Sequence, residues 1–407
     1  MSALPPHAHV LTGLGVTIED AALDQLARVA GLPGCCRAVG LPDLHPGRGV
    51  PVGAAFAFRD RVVPALIGGD IGCGVRLVAV KKARFQGDAL LRRVDEATRG
   101  PALPDADPHA LLAAVWAHGP AGLAAVDGVP DSLAVLAEAE VAGAFAEVLP
   151  PSGVLPEGDF GTQLGTAGGG NHFLELSTVE RVQDRAAAAV LGLTAGTWVV
   201  LAHSGSRGLG ASLAARHREV LETPDEIQGW LADQAGAIRF ALANRVVLAW
   251  RLLEALGAAR PDRLTGAFDL VHNAVVPAMV DGAAVWLHRK GAAPAALDQP
   301  TVVLGSRGAP SHVLLGAGQE DCLASVAHGA GRRLDRADAA ARFRARHTRA
   351  SLRRTTLGSH VLCDDAELLF AEHPDAYKAV EPVVAALEAA GAGRRVATLV
   401  PHITVKR

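Results

Sequence analysis

Asp70 and Cys73 stand three residues apart in Gly69-Asp70-Ile71-Gly72-Cys73-Gly74. The flanking glycines let the backbone turn sharply enough for a carboxylate and a sulfur to face one point. A hard oxygen beside a softer sulfur suits a divalent metal that tolerates both, such as manganese or zinc. Asp-x-x-Cys alone is equally a turn with a small buried hydrophobe. Its weight comes from histidines that follow at long spacing, in Asn171-His172-Phe173-Leu174-Glu175, His203-Ser204-Gly205-Ser206-Arg207-Gly208 and His272-Asn273. Asp70, Cys73, His172, His203 and His272 make five candidate ligands. That is too many for one catalytic metal with an open position, and suits two ions that share a ligand. A thiolate can bridge them.

A second set of residues suits nucleotide chemistry. Gly165-Thr166-Ala167-Gly168-Gly169-Gly170-Asn171 has the composition of a phosphate loop, although no Gly-Lys-Ser/Thr follows as a Walker A loop requires. Its plainer reading is a turn that positions His172. His328 lies in Ala327-His328-Gly329-Ala330-Gly331-Arg332, where small neighbours leave room for a bulky adduct on the ring. Neutral imidazole is nucleophilic and can split one hard transfer into two easier ones. The chain has only five lysines, at positions 81, 82, 290, 378 and 406, and nearly every other cation is arginine. A lysine retained in such a chain points to a use for a compact charge that arginine cannot supply.

Together with Pro42-Asp43-Leu44-His45 and His288-Arg289-Lys290-Gly291, these motifs resemble the RtcB RNA ligases in order and spacing, from about residue 31 to residue 406. The resemblance implies a single α+β domain over 1–407, with central β-sheets surrounded by helices. It implies two Mn2+ ions bridged by Cys73, one completed by His203 and His272, the other by Asp70 and His172. It implies that His328 attacks GTP and carries GMP, with Lys290, Arg207 and Arg332 on phosphates. Asn171, Phe173, Glu175, Ser306, Ser311, Tyr377 and Lys406 match the guanosine pocket. The implied substrates are RNA ends, a 2′,3′-cyclic phosphate or 3′-phosphate joined to a 5′-hydroxyl. Departures are Gly305-Ser306-Arg307-Gly308 where the family usually has Gly-Ser-Met-Gly, Leu44 for a common Val, and a terminal Arg407 for Gly. Arg307 bears on base or RNA-end preference rather than on the chemistry. Two other classes remain open: a manganese phosphoesterase that makes no adduct, and an RNA-binding repair subunit without activity.

Size and composition agree with an enzyme body. The chain has 407 residues, half of them apolar, enough for a large core. No apolar run reaches the ~18–20 residues of a membrane span, and residues 1–10 lack a basic signal-peptide start. Five cysteines at irregular spacing do not form a disulfide framework. The expected compartment is the reducing cytoplasm, without membrane association; whether an accessory protein is needed stays open. With net charge −3, any RNA contact must be local. Between residues 332 and 354 nine arginines face only Asp335 and Asp338. The stretch reads either as a solvated helix face or as a phosphate-binding strip beside the active site.

The elements that must hold these groups follow from periodicity. A helix is expected over 22–30. Strands are expected over 54–58, 62–67 and 75–80, then 197–202, 267–271, 283–288, 301–304 and 312–315. Residues 84–149 read as helices packed on the catalytic body, without catalytic motifs. A long helix is expected over 225–256. Histidines 203, 272 and 288 and Ser306 fall at or just past strand ends, a common way to hold polar groups rigidly.

Overall fold

The computed structural model describes residues 4–81, 83, 86–139 and 150–407. Two β-sheets form its frame. The larger runs Pro300–Val303, Ser311–Gly316, Gly393–Lys406, Phe173–Val182, Trp198–Ser204, Gly74–Val80 and Leu264–Val271, with His360–Cys363 paired to Gly393–Lys406 in parallel. The smaller runs Ala8–Val10, Cys35–His45, Val52–Phe58, Ala283–Lys290 and Asn273–Val280. Strand Gly74–Val80 is buried along its whole length, because its mostly apolar residues have neighbours on both sides and cover on both faces. Helices complete an α+β fold, as expected from the sequence. No described helix is long and apolar enough to cross a membrane.

Register delivers the chemistry. Gly74 pairs with Ser204 on one side and Val271 on the other, so Cys73 lies between His203 and His272. Phe173 pairs with His203, which puts His172 at the same end of the next strand. His272 is also where the chain leaves the larger sheet for the smaller, whose Asn273 pairs with Lys290. Four adjacent strand ends and the seam between two sheets therefore meet at one place.

Helix Pro224–Leu256 lies beneath that place. Thr223 and Glu226 form a capping box, Pro224 opens the first turn and Gly257 closes the helix in a left-handed conformation. Most of its residues are buried, including the polar pair Asn244 and Arg245. Arg245 grips Asp269 with Nε and Nη2 at 2.7–3.0 Å and donates through Nη1 to the carbonyls of Gly72 and Ser204 at 2.8 Å. Asn244 accepts from the Gly165 and Thr166 amides and donates to Ser204 Oγ and the Gly205 carbonyl. One turn of helix thus fixes the Asp70–Cys73 turn, the end of the His203 strand, the strand before His272 and the glycine-rich loop before His172.

Most expected elements form, with bounds shifted by a few residues. Residues 62–67 differ. Val62 makes only a single bridge to Leu221, and Pro64–Leu66 is a 3-10 turn. Pro64 has no N–H for a ladder and its fixed φ starts a turn. Within 84–149, helices Gly87–Ala97, Pro108–His118 and Asp131–Glu138 pack on the long helix, while residues 84, 85 and 140–149 lie outside the described residues, as does Lys82. All five cysteines are free. Arg245→Met should take the close guanidinium from Asp269, which keeps Arg76 at 3.9 Å, and leave the Gly72 and Ser204 carbonyls without their donor, at a cost of roughly 2–4 kcal/mol. Denaturant titration checks this, and a loss under about 1 kcal/mol would show that the grip is not what holds the frame.

Candidate active site

Cys73 Sγ lies 3.3 Å from His172 Nε2, 3.3 Å from His272 Nε2 and 3.6 Å from His203 Nε2. Asp70 Oδ2 is 2.8 Å from His172 Nε2. These donors fall into two groups that share the sulfur, Cys73/His203/His272 and Asp70/Cys73/His172, each with its ligand atoms within 4.8 Å of one another. Gly72 supplies the turn at φ 75, where its missing side chain lets the loop approach Ile238 and Ala241 of the long helix. Burial pushes the Cys73 thiol well above its usual range, with Asp70 adding to the effect. Burial also holds His203 and His272 well below the ordinary histidine range, each helped by neighbouring histidines. Burial would raise Asp70, but His172 and Arg207 outweigh it and hold the carboxyl below its ordinary value. Three imidazole nitrogens and a carboxylate oxygen thus converge on one sulfur. Among the described residues Nδ1 of His203 and of His272 has no hydrogen-bond partner. Convergent lone pairs on soft and hard donors are what a divalent cation requires.

The cluster forms the floor of a cavity of about 1060 Å³. His328 lines it, its ring centroid 4.9 Å from that of His272. Nδ1 of His328 sits 2.8 Å from Oδ2 of the fully buried Asp43. That contact fixes a tautomer with the proton on Nδ1 and leaves Nε2 with a free lone pair. Lys290 reaches the same cavity across Gly68, with its ammonium destabilised by burial. Arg207 stands behind His172, its Nη1 3.3 Å from Nδ1 of that ring and its amide 3.3 Å from Asp70 Oδ1. It holds φ at 58, unusual for a side-chain-bearing residue, and lies flat on Gly168, where any Cβ would fall 1.8 Å from the guanidinium carbon.

The other half of the cavity is built round Glu372. This buried carboxylate accepts from Arg332 Nη1 at 2.9 Å, Arg336 Nε at 3.3 Å and the Tyr377 hydroxyl, and lies 3.7 Å from Lys406 Nζ. Burial would raise it, but Lys406 and Arg332 hold it below the ordinary carboxylate range. Lys406 also donates to the carbonyls of Gly170 and His172 at 2.8 and 2.9 Å, and burial brings it down to about 8. Asn171, Phe173, Ser306, Tyr377 and Arg332 line the cavity as well. Glu175 and Ser311 sit behind its wall. Glu175 accepts from Ser177 and Thr404 hydroxyls at 3.0 and 2.7 Å, and burial raises it to about 7. Ser311 Oγ accepts from the Gly305 amide at 3.0 Å.

All the predicted site residues therefore gather at one cavity or directly behind it. Sequence reasoning missed several that serve them. Asp43 stood in a quoted motif without a role, as did Asn273, whose side chain takes the Gly291 amide at 2.8 Å and holds the Asp70 carbonyl at 3.2 Å. Asn244 and Arg245 carried a signal, being a polar pair inside an apolar helical run. Glu372, in Ala371-Glu372-His373-Pro374, carried none.

Comparison with known proteins agrees with this geometry. A family model described as tRNA-splicing ligase RtcB matches residues 25–407. RNA-splicing ligase RtcB2 of Escherichia coli strain ATCC 25922 is 37% identical over 396 residues, covering 96% of this chain and 93% of that protein. RNA-splicing ligase RtcB of Mycobacterium tuberculosis is 34% identical, covering 94% of this chain and 100% of its own length. tRNA-splicing ligase RtcB of Archaeoglobus fulgidus is 30% identical, covering 98% and 93%. With the match running through every strand end that meets at the cavity, the chain belongs to the RtcB family.

Proposed function

We propose that this protein is a GTP- and Mn2+-dependent RNA ligase that joins 2′,3′-cyclic phosphate or 3′-phosphate ends to 5′-hydroxyl ends through a histidine–GMP intermediate. The observation that carries the reading is His328, backed by Asp43 and open to the cavity beside the Asp/Cys/His cluster. A phosphoesterase would need the cluster but not a histidine held ready for attack. The whole chain is read as one catalytic domain.

Asp70, Cys73 and His172 would hold one manganese, and Cys73, His203 and His272 the other. Bound there, the ions neutralise phosphate charge. His328 Nε2 attacks the α-phosphorus of GTP, the P–O bond to pyrophosphate breaks, and pyrophosphate leaves. Asp43 keeps the Nδ1 proton in place and stabilises the charge that forms on the ring. Water opens a 2′,3′-cyclic end to a 3′-phosphate. An oxygen of that phosphate displaces His328 from the GMP phosphorus, leaving RNA-ppG. The 5′-hydroxyl of the second strand then attacks the RNA phosphate, loses its proton, and GMP departs. Lys290, Arg207 and Arg332 are assigned to phosphate oxygens. Asn171, Phe173, Glu175, Ser306, Ser311, Tyr377 and Lys406 are assigned to the guanosine.

His328→Ala should keep its metal, fail to form an alkali-stable GMP adduct with labelled GTP, and still seal RNA that already carries the ppG end. Loss of sealing with metal content intact would count against a purely nucleophilic role.

Cys73→Ala should lose both ions, whereas His272→Ala should lose mainly one; elemental analysis reading two manganese per chain in Cys73→Ala would refute the shared thiolate.

On the nucleoside side, Lys406→Ala should slow adduct formation without loss of manganese. Glu175 already takes the Ser177 and Thr404 hydroxyls, so its assignment to the base is tested by Glu175→Ala, which should narrow the GTP-over-ATP preference by about fivefold or more. An unchanged GTP/ATP ratio would remove Glu175 from base recognition.

A further inference from the structure

We propose that the surface at residues 342–354, with the aromatic column Phe343–His373–His347, is the docking track for the single-stranded RNA that leads to the 3′-phosphate end. The proposal rests on the ligase reading and adds to it where the substrate lies.

Six arginines and no acidic residue fall between positions 342 and 354. All six are exposed. Among the described residues only Arg344 of the six has a carboxylate partner, Glu367. Arg349 and Arg354 donate to backbone carbonyls of Asp364 and Gly358, at 3.3 and 3.2 Å. Arg342 sits over the Phe343 ring at 5.9 Å. Among the described residues no carboxylate comes within ion-pair distance of Arg342, Arg346, Arg349, Arg353 or Arg354. Acids are not scarce, for the chain has 42 against 39 basic residues. Elsewhere they are used: Arg394 holds Asp184 and Asp298, Arg395 holds Glu381 and Glu388, and Arg407 holds Asp95 and Asp364. Five uncompensated guanidinium groups in thirteen residues leave the positive field that a phosphate backbone neutralises.

The track connects to the chemistry. Helix Arg336–Arg344 begins at the cavity, where Arg336 lines the wall and bonds Glu372, and its nine residues carry the chain about 12 Å outward. Beside it three rings stack. His373 lies 3.9 Å from Phe343 at 13° and 4.8 Å from His347 at 30°. Phe343 closes the inner end of the column, and half-buried His347 forms its outer end. An aromatic face among cations is the platform on which an unpaired base stacks without regard to sequence. A merely solvated face would need no such column.

The test uses the full-length protein with manganese and a single-stranded RNA ending in a 3′-phosphate. In the triple variant Arg342→Glu/Arg346→Glu/Arg353→Glu, RNA affinity at low salt should fall at least about tenfold. The slope of log K against log[salt] should become shallower by about 2, for three lost contacts on a single strand. Guanylylation of His328 should match wild type. His347→Ala should weaken RNA binding with the slope unchanged, and His347→Tyr should restore it. Wild-type RNA affinity and slope in a folded triple variant would overturn the proposal. If instead the wild-type protein joins no RNA while the triple variant still loses RNA affinity, the ligase reading fails and the surface stands.

Discussion

The site depends on a buried guanidinium. Arg245 is fully enclosed, and its charge is met by Asp269 on the strand that runs to His272 and by the carbonyls of Gly72 and Ser204 on the two neighbouring segments. A planar fork with donors in fixed directions can hold three backbones at once, which an ammonium could not. The desolvation of such a group is expensive, and only complete pairing offsets it. Three ligand-bearing segments are therefore tied to one another through a residue that never reaches the cavity. Asn244 extends the same grip to the loop before His172. The geometry of the Asp/Cys/His cluster is set from below by the helix.

The two halves of the cavity answer different electrostatic problems. The cluster side gathers three imidazoles, a thiol and one carboxylate, a donor set that suits cations. The Glu372 side places Arg332, Arg336 and Lys406 around one buried carboxylate, so cations outnumber the anion there. On the ligase reading, a ligand carrying several phosphates and a polar base would enter between the Asp/Cys/His floor and a wall with positive charge in excess. His328 stands at the boundary, near His272 on one side and anchored to Asp43 on the other. Arg307 lies on that wall too, buried, with Nη2 on the Leu369 carbonyl at 2.8 Å. The turn that carries it joins two strands, and its side chain is buried against the protein.

Much of this was legible in the sequence. Glycine-fenced Asp70 and Cys73, and histidines at strand ends, announce a shared centre, because ligands need rigid supports and short turns. The long helix and strands such as Gly74–Val80 and Trp198–Ser204 follow from periodicity, whereas Cys35–His45, Phe173–Val182, Asn273–Val280 and Gly393–Lys406 were not among the expected strands. What the sequence hides is register. That Phe173 faces His203, and Gly74 faces both Ser204 and Val271, depends on pairings between strands far apart in the chain, and no local pattern encodes them. Glu372 was invisible for a related reason. An acid at a helix end normally looks like a solvated residue, and only the return of Lys406 and Arg332 to its side makes it a buried hub. The strand misread at 62–67 failed on Pro64, whose local chemistry outweighed an apolar run.

The spacing of the groups that meet has a kinetic consequence. Cys73 and His272 are 199 residues apart in the chain, and Asp43 and His328 are 285 apart. Contacts of that separation form late, since each closes a large loop and gains nothing until most of the topology is in place. No fragment of the chain contains the centre, so it cannot nucleate folding. It can only reward folding once complete. A metal bound there, as proposed, would draw the whole population toward the native state by mass action. Starvation for the ion would then lower the amount of folded protein as well as the fraction that is active, and the two effects would compound.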